Sequence, residues 1–141
     1  MEIHYDASTP HGLIAAPTDQ STGTNWGCNT ILLTYTNASN IFDGATNTAN
    51  IVAECSDTGS AADLCANLSI GIYSDWYLPN LAELRLVNAS SALIGGFTDA
   101  SNYWTSNQNS QYSASKIRWN SNRTGGNYKT AGNNVRAIRS F

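Results

Sequence analysis

Few residues in this chain have the types and spacing that catalysis or metal binding requires. The cysteines, Cys28, Cys55 and Cys65, form no C-x-x-C pair and stand far in sequence from His4 and His11, so no zinc-type ligand set is spelled out. A pair plus one leftover is the simplest arithmetic. Cys55 and Cys65 closing the short loop SDTGSAADL would suit an exported protein, and three reduced, buried thiols are the alternative. A Ser-His-Asp relay would have to recruit His4 or His11 beside Asp6 or Asp19, without a G-x-S-x-G nucleophile turn. The chain is therefore expected not to be an enzyme, and no cofactor is expected. What it does concentrate is contact chemistry. The stretch SNYWTSNQNSQYSASKIRWNSNRTGGNYKTAGNN, from Ser101 to Asn134, holds amides, hydroxyls, aromatic rings and four cations, with no carboxylate.

The elements that must position these groups belong to one domain spanning 1–141, large enough to bury its own core. Hydrophobic residues make up 41% and charged residues 12%, and four Trp with seven Tyr argue for a folded, loop-rich chain. No apolar run approaches the roughly 18 residues that span a bilayer, so membrane insertion is not expected. MEIHYD has neither the basic start nor the apolar stretch of a signal peptide. Charge is split along the chain: all ten acids lie between Glu2 and Asp99, whereas six cations and no acid follow Ala100. Arg136 and Arg139 belong to a final strand expected to be partly buried, leaving Lys116, Arg118, Arg123 and Lys129 for solvent. The acidic remainder and a pI near 5.1 argue against a dedicated nucleic-acid binder.

Along the chain, IHYD and HGLIAAP flank ASTP as a strand hairpin. ILLTYTNASNIF is ambiguous between strand and helix. Ala49, Val52 and Ala53 recur at helical spacing, Ser60 caps a short turn, AADLCANL, and Pro79 opens a further helix whose face is Leu81, Leu84 and Val87 or Leu86. Beyond Gly95 and Gly96 short alternating runs predict strands, with RTGGN as a hairpin turn. The fold class is thus α+β: an N-terminal hairpin, two helices and a C-terminal antiparallel sheet. In SASKIRWN, period two puts Ser115, Ile117 and Trp119 on one side and Lys116, Arg118 and Asn120 on the other. Ile117 and Trp119 should be core, with the second set facing solvent.

HGLIAAPTDQST, WGC, IVAEC, AADLCANL, YSDWYLPNLAEL, IGGF, YWTS and VRAIRSF, in this order, resemble the landmarks of the C-terminal domain family of collagen-like proteins, the Lcl C-terminal domain. The resemblance covers nearly the whole chain; Ile72 departs from it where the family has a second Gly after Gly71, and a Gly-Gly-rich opening is missing. It implies a C-type lectin-like fold, related to formylglycine-generating-enzyme-like domains, in a bacterial or phage surface protein. It further implies an extracellular, cell-surface or virion location, with homotrimers as an expected assembly. Trp76 to Pro79, Tyr103, Trp104 and Val135 to Arg139 fall in its framework. The segment between Trp104 and Val135 is where such folds vary their ligand contacts. In related proteins, diversity-generating retroelements vary this segment at adenines, and the mutable codons often encode Asn, Tyr or Ser.

The expected recognition region is 102–134. Tyr112 and Tyr128 would supply rigid contact area, Asn107, Asn109, Asn120, Asn122 and Asn127 adaptable hydrogen bonds, and Ser113 and Ser115 hydroxyls, the residue types of antibody paratopes. The partner would be a protein or a glycan on a cell surface. Lys116, Arg118 and Arg123, with Lys129, would instead suit a sulfated polysaccharide. A lectin-type calcium site is not expected, because Glu-Pro-Asn and Gln-Pro-Asp tripeptides are absent and this segment has no carboxylate. The sequons at Asn37, Asn67, Asn88 and Asn122 are incidental in a bacterial chain.

Overall fold

The computed structural model describes residues 2–6, 11–35, 37–121 and 123–141, with backbone alone at 2–6 and 11. In chain order the elements are β1 (Glu2–Asp6), β2 (His11–Ala15), β3 (Ser21–Thr24), α1 (Gly44–Glu54), α2 (Ala61–Ala66), α3 (Leu81–Ala89), α4 (Ser91–Ile94), β4 (Asn102–Gln108), β5 (Ser113–Arg118), β6 (Arg123–Tyr128), β7 (Asn133–Val135) and β8 (Ile138–Ser140). The fold is mixed α+β. One sheet has the order β1-β2-β8, and the other β3-β7-β4-β5-β6. The N-terminal hairpin is present, although its predicted turn, ASTP, lies outside the described residues. Among the described residues four helices replace the expected two, and the second sheet is mixed, because β7 enters beside β4 in parallel.

The larger sheet is covered on both sides at its centre, which explains why β4 is buried from Tyr103 to Gln108, whereas β6 is exposed. Trp104, Ala114 and Val135 face one cluster with Trp26, Ile51 of α1 and Cys65 of α2. Tyr103, Ile117 and Trp119 face the other, with Leu84 and Val87 of α3. Ile117 and Trp119 are therefore core, as their alternation predicts.

Other expectations are overturned. The periodic Ala49, Val52 and Ala53 are exposed, and α1 buries Gly44, Asn47, Thr48 and Ile51 instead. Polar residues can occupy this face because their partners are buried with them. Asn47 exchanges hydrogen bonds with both backbone groups of Ala38, at 3.0 and 2.7 Å, and the Thr48 hydroxyl accepts from Leu78 N at 3.0 Å. ILLTYTNASNIF is neither strand nor helix in its described residues. RTGGN is not a turn but most of β6, and the described turn residues of the β5–β6 reversal are 119–121.

The disulfide joins Cys28 to Cys55, with Cα atoms 5.8 Å apart, and not Cys55 to Cys65. The loop after Cys55 runs into α2, whose packing turns Cys65 into the core as a free, buried thiol. Cys55, at the end of α1, meets Cys28 in the loop after Trp26. Non-reducing peptide mapping should find the Cys28–Cys55 link and Cys65 unreactive to alkylation until the chain unfolds. For a link 27 residues apart, Cys28→Ala/Cys55→Ala should cost about 3–4 kcal/mol in urea unfolding.

The start of α3 is held by a capping box in which Asn80 and Glu83 satisfy each other's backbone N–H groups. Glu83 is wholly buried, and its carboxylate also accepts from Tyr77 Oη at 2.8 Å and Phe42 N at 3.0 Å. Burial raises its pKa above the ordinary 4.5 despite these donors. The folded state thus holds this proton more tightly than the unfolded chain. The stability it contributes is full below the ordinary value and is lost as pH rises through the raised one. Urea unfolding from about pH 4 to pH 7 should show this decline, and Glu83→Gln should flatten it.

Candidate functional site

The predicted recognition segment separates into residues that build the sheet and residues that the sheet displays. Asn107 belongs to the first group. It is only 6% exposed; its Oδ1 accepts from Leu81 N at 2.8 Å and its Nδ2 donates to Asn37 Oδ1 at 3.1 Å and Ala38 O at 3.2 Å. Neighbouring Gln108 does similar work, donating to Leu33 O at 2.6 Å while its Oε1 accepts from Leu33 N at 3.3 Å. These amides fasten the irregular segment 31–40 to β4, supplying the partners that regular structure would otherwise provide.

Lys129, expected in solvent, is fully buried. Its Nζ donates to Ile31 O at 2.9 Å and to Gln108 Oε1 at 3.1 Å and lies 4.8 Å from the centre of the Trp26 ring. Burial pushes its pKa below the ordinary lysine value. Carbonyl oxygens and a ring face let a cation stay in this cluster without a carboxylate.

Asn120 sits in the β5–β6 reversal with φ of 66°, a left-handed conformation that Asn tolerates better than most residues. Its amide is engaged with Asp99 and Ser91, and its N–H with Asn88 Oδ1 at 3.2 Å. Asn120 thus shapes the turn. Asn122 lies outside the described residues.

The displayed residues lie on the β5–β6 ribbon. Its register is unbroken, running from Ser113↔Tyr128 to Arg118↔Arg123. Directly opposed residues share a face, so the predicted site divides in two. Ser113, Ser115, Gly126 and Tyr128 occupy one side. Asn109 reaches over that side, accepting from Ser115 Oγ at 2.8 Å. Its Nδ2 would be 2.8 Å from a Cβ on Gly126, so the bare glycine makes room for it. Lys116, Arg118, Arg123 and Asn127 occupy the other side. Arg118 and Arg123 are exposed and directly opposed, and among the described residues neither they nor Lys116 has a carboxylate within 4.0 Å.

A groove of about 430 Å³ lies elsewhere, between the β2–β3 connection and α2. Its carboxylates already serve the fold: Asp19 binds Arg136 at 2.8 Å, and Asp63 accepts from Gly59 N at 2.7 Å and Asn67 Nδ2 at 2.9 Å. A second groove, about 320 Å³, coincides with the predicted segment and is lined by Ser113, Gly126, Asn127 and Tyr128. Tyr128 is 72% exposed there, and Tyr112, just before β5, is 50% exposed. Cys28, Cys55 and Asp57 place ligand-type atoms within 4.8 Å of one another, but the sulfurs are joined to each other and Asp57 accepts from Cys28 N at 2.8 Å. Cysteine ligates a metal as the thiolate, so the bonded pair offers no ligand and Asp57 alone does not make a site.

The roles of Gly125, Gly126 and the amide pins were missed from sequence. A Gly-Gly pair shows no side-chain alternation, and an Asn that pins a loop is the same letter as one that contacts a ligand. A stability series separates the two groups. Asn107→Ala and Gln108→Ala should each lose about 1–3 kcal/mol, leaving buried partners unpaired. Ser113→Ala and Tyr128→Ser should stay within about 0.5 kcal/mol in the same thermal melts. In the comparisons with known proteins, no family model matches the chain and no curated protein matches it.

Proposed function

We propose that this chain is a non-enzymatic ligand-binding domain with a C-type lectin-like fold, from a bacterial or phage surface protein, and that the β5–β6 ribbon is its recognition face. The observation that carries this reading is the groove at Ser113, Gly126, Asn127 and Tyr128, set against the edge strand β6, whose side chains are mostly exposed and hold little of the fold. An exposed ring beside hydroxyls and an amide is suited to stacking on a sugar face or packing on a protein surface. Cys65 is not placed as a nucleophile: it is fully buried, and burial raises its pKa away from the thiolate that such chemistry needs.

The resemblance to the Lcl C-terminal domain adds retroelement diversification to this proposal. The positions then free to vary are Tyr112, Ser113, Asn127 and Tyr128, while Asn107, Gln108 and Lys129 are bound to the core. A near-copy of the gene's 3′ end differing at adenines in the first group would support diversification, and differences at the second group would count against it.

The other side of the ribbon favours a second reading, a fixed adhesin for sulfated polysaccharides. Like charges directly opposed on a sheet are mutually destabilising, and a bound anion relieves them. Two substitution sets discriminate between the readings. Tyr112→Ser/Tyr128→Ser should leave the melting temperature within a few degrees yet weaken binding on a glycan array at least about tenfold. Lys116→Ser/Arg118→Ser/Arg123→Ser should instead abolish salt-sensitive heparin binding if the adhesin reading is right. Unchanged binding in both sets would remove the ribbon as the recognition face.

A further inference from the structure

Among the described residues no strand pairs with the outer edge of β6. It ends the five-stranded sheet, and Arg123 to Gly126 are exposed. The hydrogen-bond phase of the ribbon identifies the groups left over. Lys129 N donates to Tyr112 O at 2.8 Å, so that pair is a bonded one, and alternation makes Asn127, Gly125 and Arg123 bonded to β5 as well. On β5 the opposite phase points inward, as shown by Thr105 Oγ1 donating to Ser115 O at 3.0 Å and Asn109 N to Ser113 O at 2.9 Å. The N–H and C=O groups of Thr124, Gly126 and Tyr128 therefore point away from the sheet. Tyr128 N is satisfied by the adjacent Asn127 Oδ1 at 2.9 Å. Thr124 and Gly126 have no such cap among the described residues.

Exposed edges are ordinarily guarded by a proline, a bulge, a covering segment or charged side chains, and like charges repel a second copy of the same edge while admitting a strand of opposite charge. β6 contains no proline, its pairing with β5 has no bulge, and Gly125 and Gly126 leave the edge without side chains midway. The cations beside it lie on one side, and among the described residues no carboxylate is paired with them. Arg123 stands on β6 itself, and the side chain of Lys116 crosses from β5 over Gly125, its Cε 3.9 Å from where a Cβ would be. These two cations are thus offset by two residues, roughly 7 Å, along the edge.

We propose that this edge is a β-augmentation site for an extended acidic segment of a protein partner, with carboxylates at alternate positions i and i+2 facing Arg123 and Lys116. Backbone pairing at Thr124 and Gly126 would supply affinity, and the two cations would select the sequence and register of the added strand. The proposal rests on the ribbon being a recognition face, but it uses the edge rather than the groove at Tyr128.

The test is amide hydrogen exchange by NMR on the whole chain, with the capped peptide Thr-Glu-Val-Glu-Val-Thr and its Lys-for-Glu counterpart. The acidic peptide should slow exchange at Thr124 and Gly126 at least about tenfold, and the lysine peptide should not. Thr124→Pro removes a donor that β5 does not use, so the ladder survives while the peptide effect disappears. Lys116→Glu/Arg123→Glu, which leaves the backbone alone, should reverse the peptide preference. No protection by the acidic peptide, or equal binding by the Thr124→Pro chain, overturns the proposal. So does protection that appears without peptide and grows with protein concentration, because the occupant would then be a second copy. Tyr128→Ser keeps both edge donors. Edge protection that persists while the tyrosine variants leave glycan binding unchanged would remove the groove reading alone, and the converse would remove the edge alone.

Discussion

The Arg136 guanidinium ties this molecule together. The chain passes between its two sheets at 16–20, from β2 to β3, and again at 136–137, from β7 to β8. Arg136 lies on the second crossing and binds Asp19 on the first at 2.8 Å. It also donates to Ala16 O at 2.9 Å and to Gly95 O and Gly96 O at 3.2 and 2.8 Å, with Phe97 stacked 3.9 Å away. Asp19 in turn accepts from Tyr103 Oη at 2.7 Å, reaching the central strand. A charge this deeply buried is tolerated only when its donors are met, and here the partners come from both crossings and the turn before β4. The positive φ of Gly96, 77°, belongs to the same constraint, because a Cβ there would approach the guanidinium at 3.1 Å.

With the sheets locked in this way, the long segment before α1 can forgo regular structure. Its backbone partners are side-chain amides: Gln108 for Leu33, Asn47 for Ala38, and Asn80 for Asn40 at 2.7 Å. The Asn-rich composition therefore has two causes. Some amides replace secondary structure inside the fold, where each has several partners, and others decorate the ribbon. An amide can do either because it donates and accepts at once.

This double use decided what was legible in the sequence. The hairpin, the mixed α+β class, the α3 face and the inward Ile117 and Trp119 could be read, since each shows in apolar period or turn chemistry. The buried side of α1 could not, because Asn47 and Thr48 carry it and periodicity counts only apolar letters. Lys129 failed similarly: nothing in NYKT announces that the Ile31 carbonyl, the Gln108 side-chain amide and the ring of Trp26 will enclose its amine. The disulfide required knowing that α1 ends beside Gly27, where a Cβ would lie 3.5 Å from Cys55 Sγ. Tertiary placement, not local preference, settled all three.

The same alternation that makes Ile117 core limits what the ribbon can offer a ligand. Tyrosine and serine on one side and cations on the other cannot all meet one flat surface, because neighbouring residues of a strand point in opposite directions. A ligand on the Tyr128 side engages hydroxyls and a ring, while one on the Arg123 side engages charge over Gly125. Only the edge of β6 lies within reach of both. A segment lying along that edge could bring carboxylates to Arg123 and Lys116 while its alternate residues turn toward Tyr128. Substitutions at displayed positions leave the ladder from Ser113 to Arg118 intact, since its bonds are made by backbone. The side-chain chemistry that this ribbon displays can therefore change more freely than its geometry.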